Sequence, residues 1–165
     1  MISKIYFPRM IIPASVLCVY MIDLLILTSI FLAGMAYCQI PFTVELLTLP
    51  LFAVAAFLFS LGVSLWLSAL CIRFRDIRIL LPFLIQLGLF LSPIAYSVEM
   101  IPLEYRWFYA LNPMVGIIEG VRWAAFGSGE NLFPVLATGF AVIAVVLATG
   151  YGYFRREEAL FADII

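Results

Sequence analysis

LPLFAVAAFLFSLGVSLWLSALCI, Leu49 to Ile72, carries no charged residue and runs straight into RFRDIR, Arg73 to Arg78. The run exceeds the roughly 20 apolar residues needed to cross a ~30 Å hydrocarbon core. It ends in a block of arginines that belongs among headgroups and water. The stretch therefore reads as a membrane-spanning helix with its basic end on a defined side.

Three further runs read in the same way. One covers about residues 11–37 and holds a single charge, Asp23; the loop Gln39 to Thr48, with Pro41 and Glu45, separates it from the span at 49–72. A shorter one covers about 79–96, with Pro82 near its start and Pro93 near its end, each removing a backbone donor, so a bent helix is expected. The last covers about 132–154 and ends at Arg155 and Arg156. Four crossings place Lys4 and Arg9, Arg73, Arg75 and Arg78, and Arg155 and Arg156 on one side, leaving only Arg106 and Arg122 on the other. Basic residues favour the cytoplasmic side, so both ends of this multi-pass chain are expected there.

The composition agrees with lipid as the solvent. Of 165 residues 66% are hydrophobic and 12% charged, against roughly half and a quarter in soluble domains. Nine basic and ten acidic residues give no polyanion-binding field, so nucleic acid is not an expected partner. There is no histidine, and Cys18, Cys38 and Cys71 lack metal-ligand spacing, so no metal site is expected. A phosphate-binding G-x-x-x-x-G-K-[ST] loop is also missing from the sequence. With no nucleophile and base at catalytic spacing, an enzyme is a poor reading. The class is all-α integral membrane, with about four transmembrane helices plus short re-entrant or interfacial helices between the last two spans.

Those short helices are expected over about 99–130, a stretch too long and too apolar for a plain connector. Its stretch Trp107 to Ile118 is too short to cross a bilayer and contains Asn112-Pro113; Tyr105, Trp107, Tyr109 and Trp123 favour the interface. Glu119 and Arg122, three apart, are expected to pair on a helix. The aromatic residues either anchor the segment or line an exit, since such rings suit a sugar or headgroup.

Asp23 falls near the midplane of the first span, where a carboxylate needs a partner, water or a proton. A structural hydrogen bond to a neighbouring helix is the expectation, and a proton or substrate relay the alternative. Ser60, Ser64 and Ser68, and Ala141, Ala144, Ala148 and Gly152, form stripes of small residues; intramolecular packing is expected, with pore lining as the alternative. Gly116 and Gly120 form a G-x-x-x-G outside a full span. Arg73, Arg75, Asp76 and Arg78 suit either headgroup anchoring or docking of a cytoplasmic protein.

LNPMVGIIEGVRWAAFG, Leu111 to Gly127, resembles the signature of permease subunits of ABC-2 type transporters, especially the polysaccharide, O-antigen, capsule and teichoic-acid exporters. RFRDIRILLPFLIQLGLFLSPIAYS, Arg73 to Ser97, YFRREEALFADII, Tyr153 to Ile165, and ISKIYFPRMIIP, Ile2 to Pro13, match in the same order. The resemblance implies a homodimeric permease with a path between its halves, bound to membrane lipid and driven by a separate ATP-binding subunit that carries ATP and Mg. No cofactor is expected on this chain. By position, Lys4, Tyr6, Phe7 and Arg9 match the cytoplasmic coupling segment, and Arg73, Arg75, Asp76 and Arg78 the next cytoplasmic loop. Tyr105, Trp107, Tyr109, Asn112, Pro113, Glu119, Arg122 and Trp123 fall in the helices near the exit. Residues 1–165 would form a partial transmembrane domain, since the family has about six spans and the first two are not represented. The function this resemblance implies is ATP-driven export of a lipid-linked polysaccharide across a bacterial cytoplasmic (inner) membrane. Export of a drug or other hydrophobic cargo, or a truncated regulatory or assembly role without transport, are the alternatives.

Overall fold

The computed structural model describes residues 11–74, 76–94, 96, 98–127 and 132–162. Six helices account for most of them: α1 (Ile11–Tyr37), α2 (Leu49–Arg73), α3 (Ile77–Leu91), α4 (Leu103–Tyr109), α5 (Pro113–Phe126) and α6 (Leu132–Ala162). Short 3-10 turns at Val44–Thr48 and Val98–Met100 precede α2 and α4, and no strand occurs among the described residues. Among the described residues three stretches are long and apolar enough to cross a membrane: Ala14–Tyr37, Val44–Cys71 and Leu132–Glu157. The chain is an all-α membrane protein.

The first two spans lie where the hydropathy places them. The third does not fill its expected range, because α3 stops at Leu91 instead of continuing to Tyr96. Proline disfavours the helical conformation of the residue before it, and Ser92, preceding Pro93, is extended at φ −99°, ψ 140°. Fifteen residues rise about 22 Å, short of the ~30 Å hydrocarbon core. At the other end α6 continues past Phe154 through the two arginines to Ala162.

The body of the molecule is α2 packed along α6, with α5 laid across both. A Cβ on Gly150 would lie 2.6 Å from the Gly62 carbonyl oxygen, so the two backbones meet at this pair. Below it Leu65, Ala69 and Phe154 are buried together, and Trp66 stacks on Tyr153 with ring centroids 4.8 Å apart. Above it Phe52, Ala55, Ile117, Ala124 and Ile143 form the larger core. Gly116 brings α5 against the backbone of α6 at Val135 and Gly139, and Gly120 makes room for the Phe52 ring. Without a hydrophobic drive between helices in lipid, such close approach is what lets dispersion contacts hold them.

The packing stripe on α6 is therefore Gly139, Ile143, Gly150 and Phe154. Ala141, Ala144, Ala148 and Gly152, expected to pack within the chain, are all exposed. The glycine contact at residue 150 sets which face of α6 turns inward, and the alanines fall on another. Ser60 is exposed, while Ser64 and Ser68 are half-buried, and the buried Ser64 Oγ has no hydrogen-bond partner. The Gly116 and Gly120 pair, a weak pattern in the sequence, marks two of the tightest contacts.

Helix α1 packs more loosely on α2, with a gap of about 250 Å³ lined by Leu24, Thr28, Phe31, Phe52 and Ile117 among others. Asp23 is exposed on α1, and the expected hydrogen bond to a neighbouring helix is not made among the described residues.

Candidate functional site

The prolines and the asparagine of the outer segment determine its local geometry. Pro113 opens α5, where a missing N–H costs nothing, and Asn112 caps it by accepting from the Met114 N–H at 3.1 Å. Gly127, at φ 66°, closes the same helix in the left-handed conformation and donates its N–H to the Trp123 carbonyl. The two short helices expected here are α4 and α5.

A helix that ends inside a bilayer exposes its last four carbonyls to lipid unless the protein supplies donors. Every one of these carbonyls in α3 has a partner. Ser92 Oγ donates to Gly88 O at 2.9 Å, and Ser92 N–H to Leu89 O at 3.3 Å. Tyr96 OH donates to Phe90 O at 3.1 Å, and Asn112 Nδ2 to Leu91 O at 3.1 Å. Since the Tyr96 proton is used in that bond, the close Tyr96 and Tyr109 hydroxyls pair with Tyr109 as donor. Partial burial, followed by this bond, pushes the Tyr109 phenol above its ordinary pKa, which keeps it neutral and able to donate.

Arg122 supplies the carbonyls beyond the break. Its Nη2 donates to Pro93 O at 2.7 Å and approaches Ile94 O at 3.4 Å, and both Nη atoms lie 3.2 Å from Tyr96 O. Nη1 also pairs with Glu119 Oε1 at 2.7 Å, as the three-residue spacing predicts. Ser92 and Pro93 are buried beneath these contacts. One guanidinium thus ties α5 to the segment in which α3 breaks off, and the planar fork suits several acceptors at once.

Other residues singled out from the sequence are dispersed. Tyr105 and Trp107 are exposed, with Trp107 edge-on to Phe108; Trp123 packs against the core around Phe52. The rings of Trp107, Tyr109 and Trp123 therefore sit in three different surroundings. At the C-terminal end of α2 Arg73 meets the buried Glu157 of α6 at 3.4 Å, and also lies over the Phe74 ring. Asp76 and Arg78 are exposed at the start of α3. Lys4, Tyr6, Phe7, Arg9 and Arg75 lie outside the described residues. Sequence reasoning missed Ser92, Tyr96 and Glu157. The Ser92-Pro93 pair was the available signal for the break.

Comparison with known proteins points the same way. The profile of the ABC-2 type transporter family matches residues 1–126. Two proteins of Klebsiella pneumoniae named O-antigen export system permease protein RfbA are 26% and 27% identical over 99% of this chain. A protein of the same name from Myxococcus xanthus is 30% identical over the whole chain. The chain spans 63% of the length of the Klebsiella proteins and 64% of the Myxococcus one. With more than half its length inside the family profile, and with helices of membrane-spanning length, the chain belongs to the ABC-2 type transporter family.

Proposed function

We propose that this chain is the membrane permease part of an ATP-driven exporter that moves a lipid-linked polysaccharide, of O-antigen, capsule or teichoic-acid type, across the cytoplasmic membrane. The observation that carries the reading is the similarity to O-antigen export permeases over 99% or more of the chain. The chain is then a transport subunit and not an enzyme. ATP and Mg are bound by a separate subunit that docks on the cytoplasmic side, with Lys4, Tyr6, Phe7, Arg9, Arg73, Arg75, Asp76 and Arg78 as its contacts. A second copy completes the path, and the outer helices α4 and α5 stand at its exit, with Tyr105, Trp107 and Tyr109 available to a sugar or headgroup.

Exposed apolar surface supports a partner or lipid around the whole chain: Val19, Leu25 and Leu27 on α1, and Phe83, Ile85 and Phe90 on α3, all face outward. The test is deletion of the gene in its host and complementation with the gene product carrying this chain, with surface glycan measured by antibody binding. Loss of surface glycan, accumulation of its lipid-linked form inside, and copurification with an ATPase are expected. Unchanged surface glycan together with increased sensitivity to hydrophobic compounds would refute the glycan reading and favour a drug or lipid cargo.

A further inference from the structure

Helix α3 is held differently from the rest of the fold. None of its residues is buried, and every side chain from Pro82 to Leu91 is exposed. An open hollow of about 610 Å³ separates it from α2, α4 and α5, with Phe59, Leu89, Phe108 and Met114 among the lining residues. Within this chain α3 is fastened at its two ends. Its first turn follows directly from the arginine loop after α2, where Ile77 N–H donates to Phe74 O and Ile79 N–H to Asp76 O. Its far end is gripped by Asn112 and Arg122, which both belong to the start and body of the α5 segment.

A helix transmits displacement along its axis because its hydrogen bonds are internal, whereas a chain break transmits little. The break at residues 92–96 would interrupt transmission unless another group bridges it, and Arg122 is the group that does so. Its two nitrogens serve three carbonyls on the far side of the break while Glu119 fixes the guanidinium from its own helix. The hollow behind α3 leaves space for the helix to tilt without first dislodging packed side chains.

We propose that Arg122 is a positioning residue for export: it fastens the broken end of α3 to α5, so that α3 works as a lever between the cytoplasmic loop at residues 73–78 and the outer helices. The proposal rests on the reading of the chain as an ATP-driven permease. It does not depend on the cargo. A movement of the loop, produced when the ATPase subunit closes, reaches α5 through the guanidinium. A lysine at this position keeps the charge and the pairing with Glu119, but one nitrogen cannot serve the same set of acceptors.

The test uses the permease bound to its ATPase in lipid nanodiscs, with native cysteines replaced and spin labels at exposed positions Glu104 on α4 and Ala141 on α6. In the otherwise native protein, a non-hydrolysed ATP analogue shifts the distance between the labels. Arg122→Ala is expected to abolish the shift, and Arg122→Lys to reduce it by at least half, with the ATPase still bound. Should Arg122→Ala fail to assemble, Arg122→Lys and Asn112→Ala carry the measurement. Hydrogen exchange over residues 88–98 is expected to rise at least tenfold in these variants, with α2 and α6 unaffected. A full distance shift in Arg122→Lys and Asn112→Ala, or no shift in the native protein, overturns the lever. A native shift accompanied by no glycan export would refute the cargo and leave the lever standing.

Discussion

Gly150→Ala and Gly152→Ala place the same methyl group on the same helix, two residues apart, with opposite expected results. At 150 the added Cβ would lie 2.6 Å from Gly62 O and 2.9 Å from Trp66 Cδ1, whereas at 152 it meets nothing within 4 Å. The Gly62 oxygen is backbone and cannot rotate aside, so α2 and α6 must move apart along a contact that also holds Leu65 and Phe154. Overpacking of this kind costs about 1–3 kcal/mol, and a backbone obstacle favours the upper part, about 2–3 kcal/mol. Replacing glycine by alanine inside a helix returns about 1 kcal/mol through propensity. That term is common to both variants and cancels in their difference, leaving the steric cost alone. Gly152→Ala should equal or exceed the native protein, and Gly150→Ala should unfold about 4–12 °C below Gly152→Ala at about 2–4 °C per kcal/mol for a chain of this size. Thermal unfolding in one detergent, followed by tryptophan fluorescence and size-exclusion chromatography, measures the difference. Equal melting temperatures would refute the close crossing at Gly62 and Gly150.

The ion pair between Arg73 and Glu157 should respond asymmetrically. Arg73→Ala strands the buried Glu157 carboxylate and should cost about 1–3 kcal/mol, whereas Glu157→Gln leaves only an exposed arginine and should cost about 0–1 kcal/mol; melting temperatures of the two variants decide the order. Gly120→Ala would overlap the Phe52 ring and should lower stability by about 1–3 kcal/mol, with Phe52→Leu in the same protein recovering part of the loss. Gly127→Ala imposes a side chain at φ 66° and should cost about 1 kcal/mol, read as a lower melting temperature than that of Gly127→Asn.

Much of this fold was legible because lipid imposes few choices on a backbone. Uninterrupted apolar length located α1, α2 and α6. Asn112-Pro113 marked the place where α5 starts, whereas its end at Gly127 is supplied by the structure. The face each helix turns inward was less legible. In a soluble helix polar residues mark the outside, but α2 and α6 are apolar all round, so the small residues alone had to decide. Their spacing offered two candidate stripes on α6, and only the encounter of Gly150 with Gly62, 88 residues away in sequence, selects one. The end of α3 was misplaced for a related reason: hydropathy continues through Ile94, while Pro93 governs the backbone and stops the helix before it.

That discrepancy explains why the polar residues of the outer segment fall where they do. A helix can stop short of the far surface only if each freed carbonyl finds a donor, and lipid offers none. Ser92 and Tyr96 act from the break itself, but they reach back along α3 and leave the carbonyls of Pro93, Ile94 and Tyr96 to another donor. Those acceptors require a long side chain approaching from outside the break, with several donors and a charge that survives partial burial. Arginine has that combination, and Glu119 one turn earlier offsets the cost of bringing it from water. Asn112 solves two problems with one amide, since its oxygen caps α5 while its nitrogen caps α3. The Asn112, Glu119 and Arg122 set is therefore accounted for by the carbonyls it serves, before any substrate contact is invoked. Substitutions there should disturb the backbone at 92–96 first, and effects on transport should follow from that displacement.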